Sequence, residues 1–146
     1  MMLVREGSLS EVTQIVATIS EFAKSENEQS LQARLADKPS LVLVAEKDGE
    51  LLGFKMGYAL DSGTFYSWFG GVAPAARGHG VAQRLLEVQE AWALKQGYER
   101  IKVKSRNQFP AMLRLLIRNN YLIEDYEKKE SLIESRIHFI KVLKNK

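Results

Sequence analysis

Between Ser8 and Ala23 the apolar positions Val12, Ile15, Val16, Ile19, Phe22 and Ala23 recur every three or four residues, which predicts a helix with one oily stripe. Ser8, followed three residues later by Glu11, supplies a capping box to start it. A second, short helix is expected over Glu28 to Ala36, with Leu31 and Leu35 on one side. A short strand is expected over Met2 to Arg5. The period then changes. Leu41 to Ala45 is a continuous apolar run of strand length, entered through Pro39-Ser40. Asp48-Gly49 signals a hairpin, because that turn takes positive φ at both central residues, and Leu51 to Ala59 returns as the next strand. After the turn Asp61-Ser62-Gly63, the aromatic-rich run Thr64 to Val72 completes an antiparallel meander.

Helical spacing resumes with Val81, Leu85, Val88 and Trp92, flanked by Ala82, Leu86 and Ala93, and Gly97 stands where a helix C-cap belongs. Ile101, Val103 and Ser105 alternate with Lys102, Lys104 and Arg106, as in a half-buried strand. Pro110 opens a helix running to about Asn119. Two strands follow, Tyr121 to Glu127 and Leu132 to Leu143, joined by the charged turn Lys128-Lys129-Glu130. The order β-α-α-β-β-β-α-β-α-β-β has no repeat or linker and predicts one domain over residues 1–146. Its β-α-β segment from Phe65 to Ser105 calls for a parallel pair with a right-handed crossover. The expected architecture is α/β: a mixed central sheet with helices on both faces.

Composition narrows the chemistry. The 146 residues lack cysteine, and the two histidines, His79 and His138, lie far apart, so disulfides, thiol nucleophiles and a zinc site are not expected. No apolar run nears the roughly 20 residues of a membrane span, and Met1 to Glu6 shows no signal-peptide core; a cytoplasmic protein without membrane contact is the expectation. The net charge of +3 comes largely from the C-terminal half. Acidic residues interrupt those cations, which speaks against nucleic acid as a partner and leaves a field suited to a small anionic ligand.

The segment with the most chemistry is Gly70 to Ala82, between a strand and an amphipathic helix. Gly78 and Gly80 with Ala82 at the helix start let unpaired backbone N–H groups approach a ligand, and the helix dipole adds partial positive charge. Phosphate binding is the natural consequence, with Arg77 adding a full charge; a plain strand-to-helix turn is the alternative. A P-loop would need Gly-Lys-Ser/Thr, which is absent. A dinucleotide fingerprint would need a third glycine, where Gln83 stands.

The remaining pattern is Val72-Ala73-Pro74 followed by Arg77-Gly78-His79-Gly80-Val81-Ala82. Here the chain resembles the GNAT superfamily of acyl-CoA-dependent N-acetyltransferases, and the element order extends the resemblance over nearly the whole chain. The resemblance implies the GNAT-like acyl-CoA N-acyltransferase fold. It implies acetyl-CoA as cosubstrate, with no metal, and its diphosphate on the amides from Arg77 to Ala82, with Gln83 next in line. It also implies a pantetheine arm along Gly70 to Val72, a Gly71 amide as oxyanion donor, and Asn107 near the arm. Asn107 could equally cap the helix at Pro110.

The implied reaction is direct acetyl transfer to the primary amine of a small molecule or peptide. The family's base position falls on Tyr66, which could order a water or simply pack. The usual acid, a tyrosine five residues before the aromatic of a Gly-Phe pair, falls on Leu116, because Asn120-Tyr121 matches that pair. Leucine cannot protonate a thiolate, so solvent, Tyr66, Tyr121 or Tyr126 must serve, or positioning alone suffices. A catalytically weak CoA-binding sensor or structural module of the same fold is the alternative. Glu21, Glu26 and Glu28 either attract the amine or form a solvated helix connection. His79 enters through its amide rather than its imidazole, Trp68 and Trp92 read as core, and His138 as a partly exposed sheet residue. A homodimer through the late strands is a further implication of the resemblance.

Overall fold

The computed structural model describes residues 1–22 and 26–143. At the Asp48-Gly49 hairpin both residues are left-handed, with φ of 54° and 82°, as that turn requires. The hairpin joins β2 (Ser40–Lys47) to β3 (Glu50–Ala59), and β3 pairs with β4 (Thr64–Val72), so the meander is present. Ahead of it lie β1 (Leu3–Glu6), α1 (Leu9–Val16) and α2 (Glu28–Leu35). After it come α3 (Val81–Lys95), β5 (Arg100–Arg106), α4 (Pro110–Arg118), β6 (Leu122–Glu127) and β7 (Arg136–Val142). The strands form one seven-stranded sheet in the order β1-β2-β3-β4-β5-β7-β6. Only β4 and β5 run parallel, joined through α3.

Each face of the sheet carries its own apolar layer. Val12, Ile15 and Leu31 of α1 and α2 pack with Phe54, Met56, Tyr58 and Tyr66 on one side. Leu85 and Leu86 of α3 and Leu116 of α4 pack with Phe65, Ile101 and Phe139 on the other. Burying each such side chain stabilises the fold by roughly 1.5–3 kcal/mol, which fixes the side of the sheet each helix occupies.

Three boundaries differ from the sequence reading. The first helix stops at Val16 instead of running on to Ala23, which lies outside the described residues. Thr18 Oγ1 donates to the Ile15 carbonyl at 2.7 Å, and the N–H groups of Thr18 and Ile19 bond three residues back. This local competition tightens the chain and still buries Ile19. The last strand begins at Arg136 rather than Leu132, because residues 128–135 curl around the buried Ser135. Its Oγ accepts from Lys129 N–H at 2.9 Å and donates to the Ser131 carbonyl at 3.1 Å. The helix after β5 is capped by Phe109, without a side-chain bond, and not by Asn107. Among the described residues no helix is long and apolar enough to cross a membrane.

Candidate functional site

Pairing between β4 and β5 ends at Ser67 and Val103. Beyond that point β4 follows β3 alone while β5 continues along β7, so a cleft opens whose first wall residues are Trp68 and Lys104. A bulge sits at this split: Phe69 opposes Met56 and Ser67 opposes Gly57, leaving Trp68 as the extra residue. The bulge brings Trp68 and Phe69 both to the α1 side, and side-chain burial gives way to partial exposure at Trp68.

The bulge also sets which amides face the cleft. Ala73 N–H donates to the Leu52 carbonyl at 2.8 Å. Bonding alternates along an antiparallel ladder, so Gly71, opposite Phe54, directs its N–H toward β3. This corrects Gly71 as the oxyanion donor. The cleft-facing amides are those of Gly70 and Val72. Gly71 instead serves packing, since a Cβ there would stand 2.8 Å from Ile19 Cδ1 and 3.0 Å from Phe22 Cζ.

After Val72 the chain makes a 3-10 turn at Pro74–Ala76 and enters α3 through Gly78 and Gly80, with φ of 82° and 79°. Gly80 is the N-cap and offers no side-chain bond. The N–H groups of Gly78, His79, Gly80, Val81, Ala82 and Gln83 have no acceptor among the described residues; Arg84, bonded to the Gly80 carbonyl at 3.0 Å, is the first to find one. Six consecutive donors with the helix dipole behind them are an arrangement that can hold an anion. Among the described residues, a Cβ at Gly78 or Gly80 would meet nothing within 4 Å.

Other predicted residues take more specific places. Arg77 donates from Nη1 to Glu21 Oε2 at 2.6 Å and from Nε to the Val72 carbonyl at 3.3 Å, so its charge is paired. The same bond holds the Glu21 carboxyl below its ordinary range. Glu26 accepts from Ser30 Oγ. Two of the three acids read as an amine lure are therefore bonded within the protein. The Gln83 side chain exchanges two 2.8 Å bonds with Asn119 and ties α3 to the end of α4. Asn107 Nδ2 donates to the Leu132 carbonyl at 2.9 Å, clamping the 128–135 loop beside the end of β5. His79 is exposed, and His138 bonds Glu127 at 3.2 Å.

Of the tyrosines considered as acid or base, Tyr66 adjoins the cleft, one residue before the last β4–β5 pair. Burial, followed by the neighbouring Tyr58, raises its hydroxyl pKa, so it stays protonated at neutral pH. Tyr126 lies on the edge strand beyond β7. Tyr121 is buried against the other helix layer, its pKa raised by burial and by Glu90. Leu116 is fully buried. The structure also shows residues that the sequence pattern did not single out. Ser67 Oγ is buried at the foot of the cleft without a hydrogen-bond partner among the described residues. On the α1 side, Arg34 and Lys104 stand over aromatic rings. Their placement depends on long-range register, which carries no local signal.

Comparison with known proteins agrees with this geometry. The profile described as "Acetyltransferase (GNAT) family" matches residues 9–118. Acetyltransferase SG1711 of Sodalis glossinidius is 30% identical over 98 residues, covering 67% of this chain and 68% of that protein. The crystal structure of the ribosomal-protein-S18-alanine N-acetyltransferase from Escherichia coli superposes with a TM-score of 0.86 at 14% identity, over 100% of this chain and 96% of that one. The structure of yncA, a putative acetyltransferase from Salmonella typhimurium with its cofactor acetyl-CoA, gives 0.74 at 17% identity, over 99% and 95%. The mixed sheet, the opening between its two parallel strands and the profile match agree: the chain belongs to the GNAT acetyltransferase family.

Proposed function

We propose that the protein is an acetyl-CoA-dependent N-acetyltransferase acting on a primary amine by direct attack. The observation that carries this reading is the run of six unpaired amides from Gly78 to Gln83, set at the end of a strand that parts from its parallel neighbour. The amides fit a diphosphate, and the open edge of Gly70 and Val72 fits an extended arm that pairs as an added strand. When bound, acetyl-CoA supplies a thioester carbonyl as electrophile. A cleft-facing amide of Gly70 or Val72 donates to the oxygen on which negative charge develops. An amine of pKa about 10.4 must first lose a proton, at a cost of roughly 4–5 kcal/mol at pH 7. Tyr66, protonated and beside the split, suits ordering the water that takes it rather than acting as the base itself.

The second reading, a CoA-binding sensor of the same fold, draws on Leu116, a fully buried leucine at the family's usual acid position. Calorimetry with coenzyme A and acetyl-CoA, paired with thiol release across an amine panel, separates the two. We expect binding, a raised melting temperature and amine-dependent thiol release. Binding with no release for any amine selects the sensor, and absence of binding overturns both.

A further inference from the structure

We infer that the acceptor is a primary amine that also carries an anionic group, a carboxylate or a phosphate, held by Arg34 and Lys104 over an aromatic floor, with Arg136 adding its charge from β7 on the same sheet face. The inference rests on the transferase reading above and concerns the α1 side of the same cleft. The floor consists of Tyr58, Tyr66 and Trp68, whose ring centroids lie 5.5 Å (Tyr58–Tyr66) and 6.2 Å (Tyr58–Trp68) apart. Arg34 Cζ stands 4.7 Å over the Trp68 ring and its Nε donates to Tyr58 Oη at 2.9 Å. From the opposite wall Lys104 Nζ stands 5.8 Å from the Tyr66 ring. Trp68 and Lys104 are the first residues beyond the split on their strands, so the two cations flank the opening.

Arg34 and Lys104 lack an ion-pair partner among the described residues, and Arg136 lies opposite Glu127, a carboxylate that Lys129 and His138 already hold. Among the described residues Arg136 forms no direct ion pair either, whereas Lys102 and His138 on the same sheet face do. Lys102 is paired with Glu124 at 3.4 Å, and Glu127, opposite Arg136, is already bonded by Lys129 at 2.5 Å and His138 at 3.2 Å. Lys38 adds a further cation 4.9 Å from the Tyr58 ring. An aromatic floor in which Tyr58 and Tyr66 are buried and Trp68 is partly exposed, flanked by cations without ion pairs among the described residues, repels a bare ammonium and recruits an anion; the guanidinium stacked on the indole keeps its terminal N–H groups for a planar oxyanion.

The field also favours reaction. Near fixed cations an ammonium gives up its proton more readily, so the anchor that holds the acceptor's anion increases the share of free amine beside it. In the transfer the amine nitrogen forms the C–N bond as the C–S bond of the thioester breaks. The sulfur leaves as thiolate, and the proton lost by nitrogen passes through water to solvent, from which the thiolate takes one up.

The test compares matched acceptors in the presence of acetyl-CoA: amino acids against their amides, and phosphoethanolamine against ethanolamine, the two arms separating carboxylate from phosphate. We expect kcat/KM at least tenfold higher for the anionic member of at least one pair. In the double variant R34Q/K104Q that ratio should fall at least tenfold, while the dissociation constant of coenzyme A stays within twofold. Calorimetry gives a readout free of turnover: with coenzyme A present, the N-acetylated anionic acceptor should bind the wild type and not the double variant. Neutral amines acetylated as well as or better than their anionic partners would overturn the anion anchor and leave the transferase intact. Coenzyme A binding without acetylation of any acceptor would overturn the anchor and select the sensor. No coenzyme A binding would overturn the transferase reading and the anchor with it.

Discussion

Arg77 Nη1 lies 2.6 Å from Glu21 Oε2, so the cation beside the amide loop is engaged by the turn that follows α1. Both side chains are nearly half exposed, at 45% and 46%, and a pair of that kind adds little to stability. Its consequence falls on binding. With Arg77 paired, the anion site proposed at the loop rests on its main-chain donors. Replacing Glu21 by Gln frees the guanidinium to swing toward the diphosphate. We expect Glu21→Gln to tighten coenzyme A binding about threefold at low salt, an effect well under 1 kcal/mol, and the gain to shrink as ionic strength rises. Titration calorimetry at two salt concentrations measures it; weaker binding in the variant would show that the pair orders the loop.

Gly80 caps α3 at φ 79° with no neighbour near an added Cβ among the described residues. The cost of a side chain here is therefore conformational. Gly80→Ala should lose about 1–2 kcal/mol for the left-handed backbone, read as a lower melting temperature, while keeping coenzyme A binding within tenfold. Gly80→Glu bears the same strain and adds a carboxylate beside the six amides, so binding should vanish. Comparing the two variants isolates charge from strain, and equal affinities would refute the diphosphate site.

Local chemistry was legible in the sequence. The Ser8–Glu11 capping box, the Asp48-Gly49 hairpin and the glycine-led entry to α3 involve residues within a few positions of each other, and each forms as read. Features that join distant segments were not. Glu21 and Arg77 are 56 residues apart, and nothing near either position announces the pair. The bulge at Trp68 is the sharpest case: one extra residue resets the alternation of β4 and turns Gly71 away from the cleft that the motif alone would give it. Arg34 likewise belongs to a helix of ordinary polar pattern, and only the packing of α2 on the sheet sets it over Trp68. Family resemblance singled out the loop proposed for the cosubstrate, and register set the wall proposed for the acceptor.

Asn107 holds two loops together. Its Nδ2 donates to the Leu132 carbonyl at 2.9 Å, while the N–H groups of Asn107 and Gln108 reach the carbonyls of Ser135 and Ile133. Asn107→Ala removes the side-chain bond from an exposed site and should cost about 1 kcal/mol or less overall. The local effect should be larger. Amides between Lys128 and Ser135 should exchange several-fold faster, with amides of α3 unchanged. Coenzyme A affinity should hold within twofold if the clamp is its main duty, and a tenfold loss would return Asn107 to the cosubstrate arm.

Lys55 provides the pH test of the fold. It lies on β3 opposite Gly70, is 6% exposed, and has no carboxylate within ion-pair distance among the described residues. Burial lowers its pKa to about 8 from 10.5, with Glu90 opposing the shift. Below pH 8 the amine is charged in both folded and unfolded chains, and the folded state bears the full cost of burying it. Between pH 8 and 10.5 the unfolded chain holds the extra proton, so stability rises with pH, and above 10.5 the cost is gone. Lys55→Met keeps an unbranched stem of similar volume and removes the charge. It should therefore exceed the wild type by up to about 3 kcal/mol at pH 7, a gap that closes as pH approaches 10.5. Urea melts of both proteins at pH 7, 9 and 10.5 follow the difference directly. A gap that does not change with pH would mean that Lys55 reaches water in the folded state, and that its stem, not its charge, sets its cost.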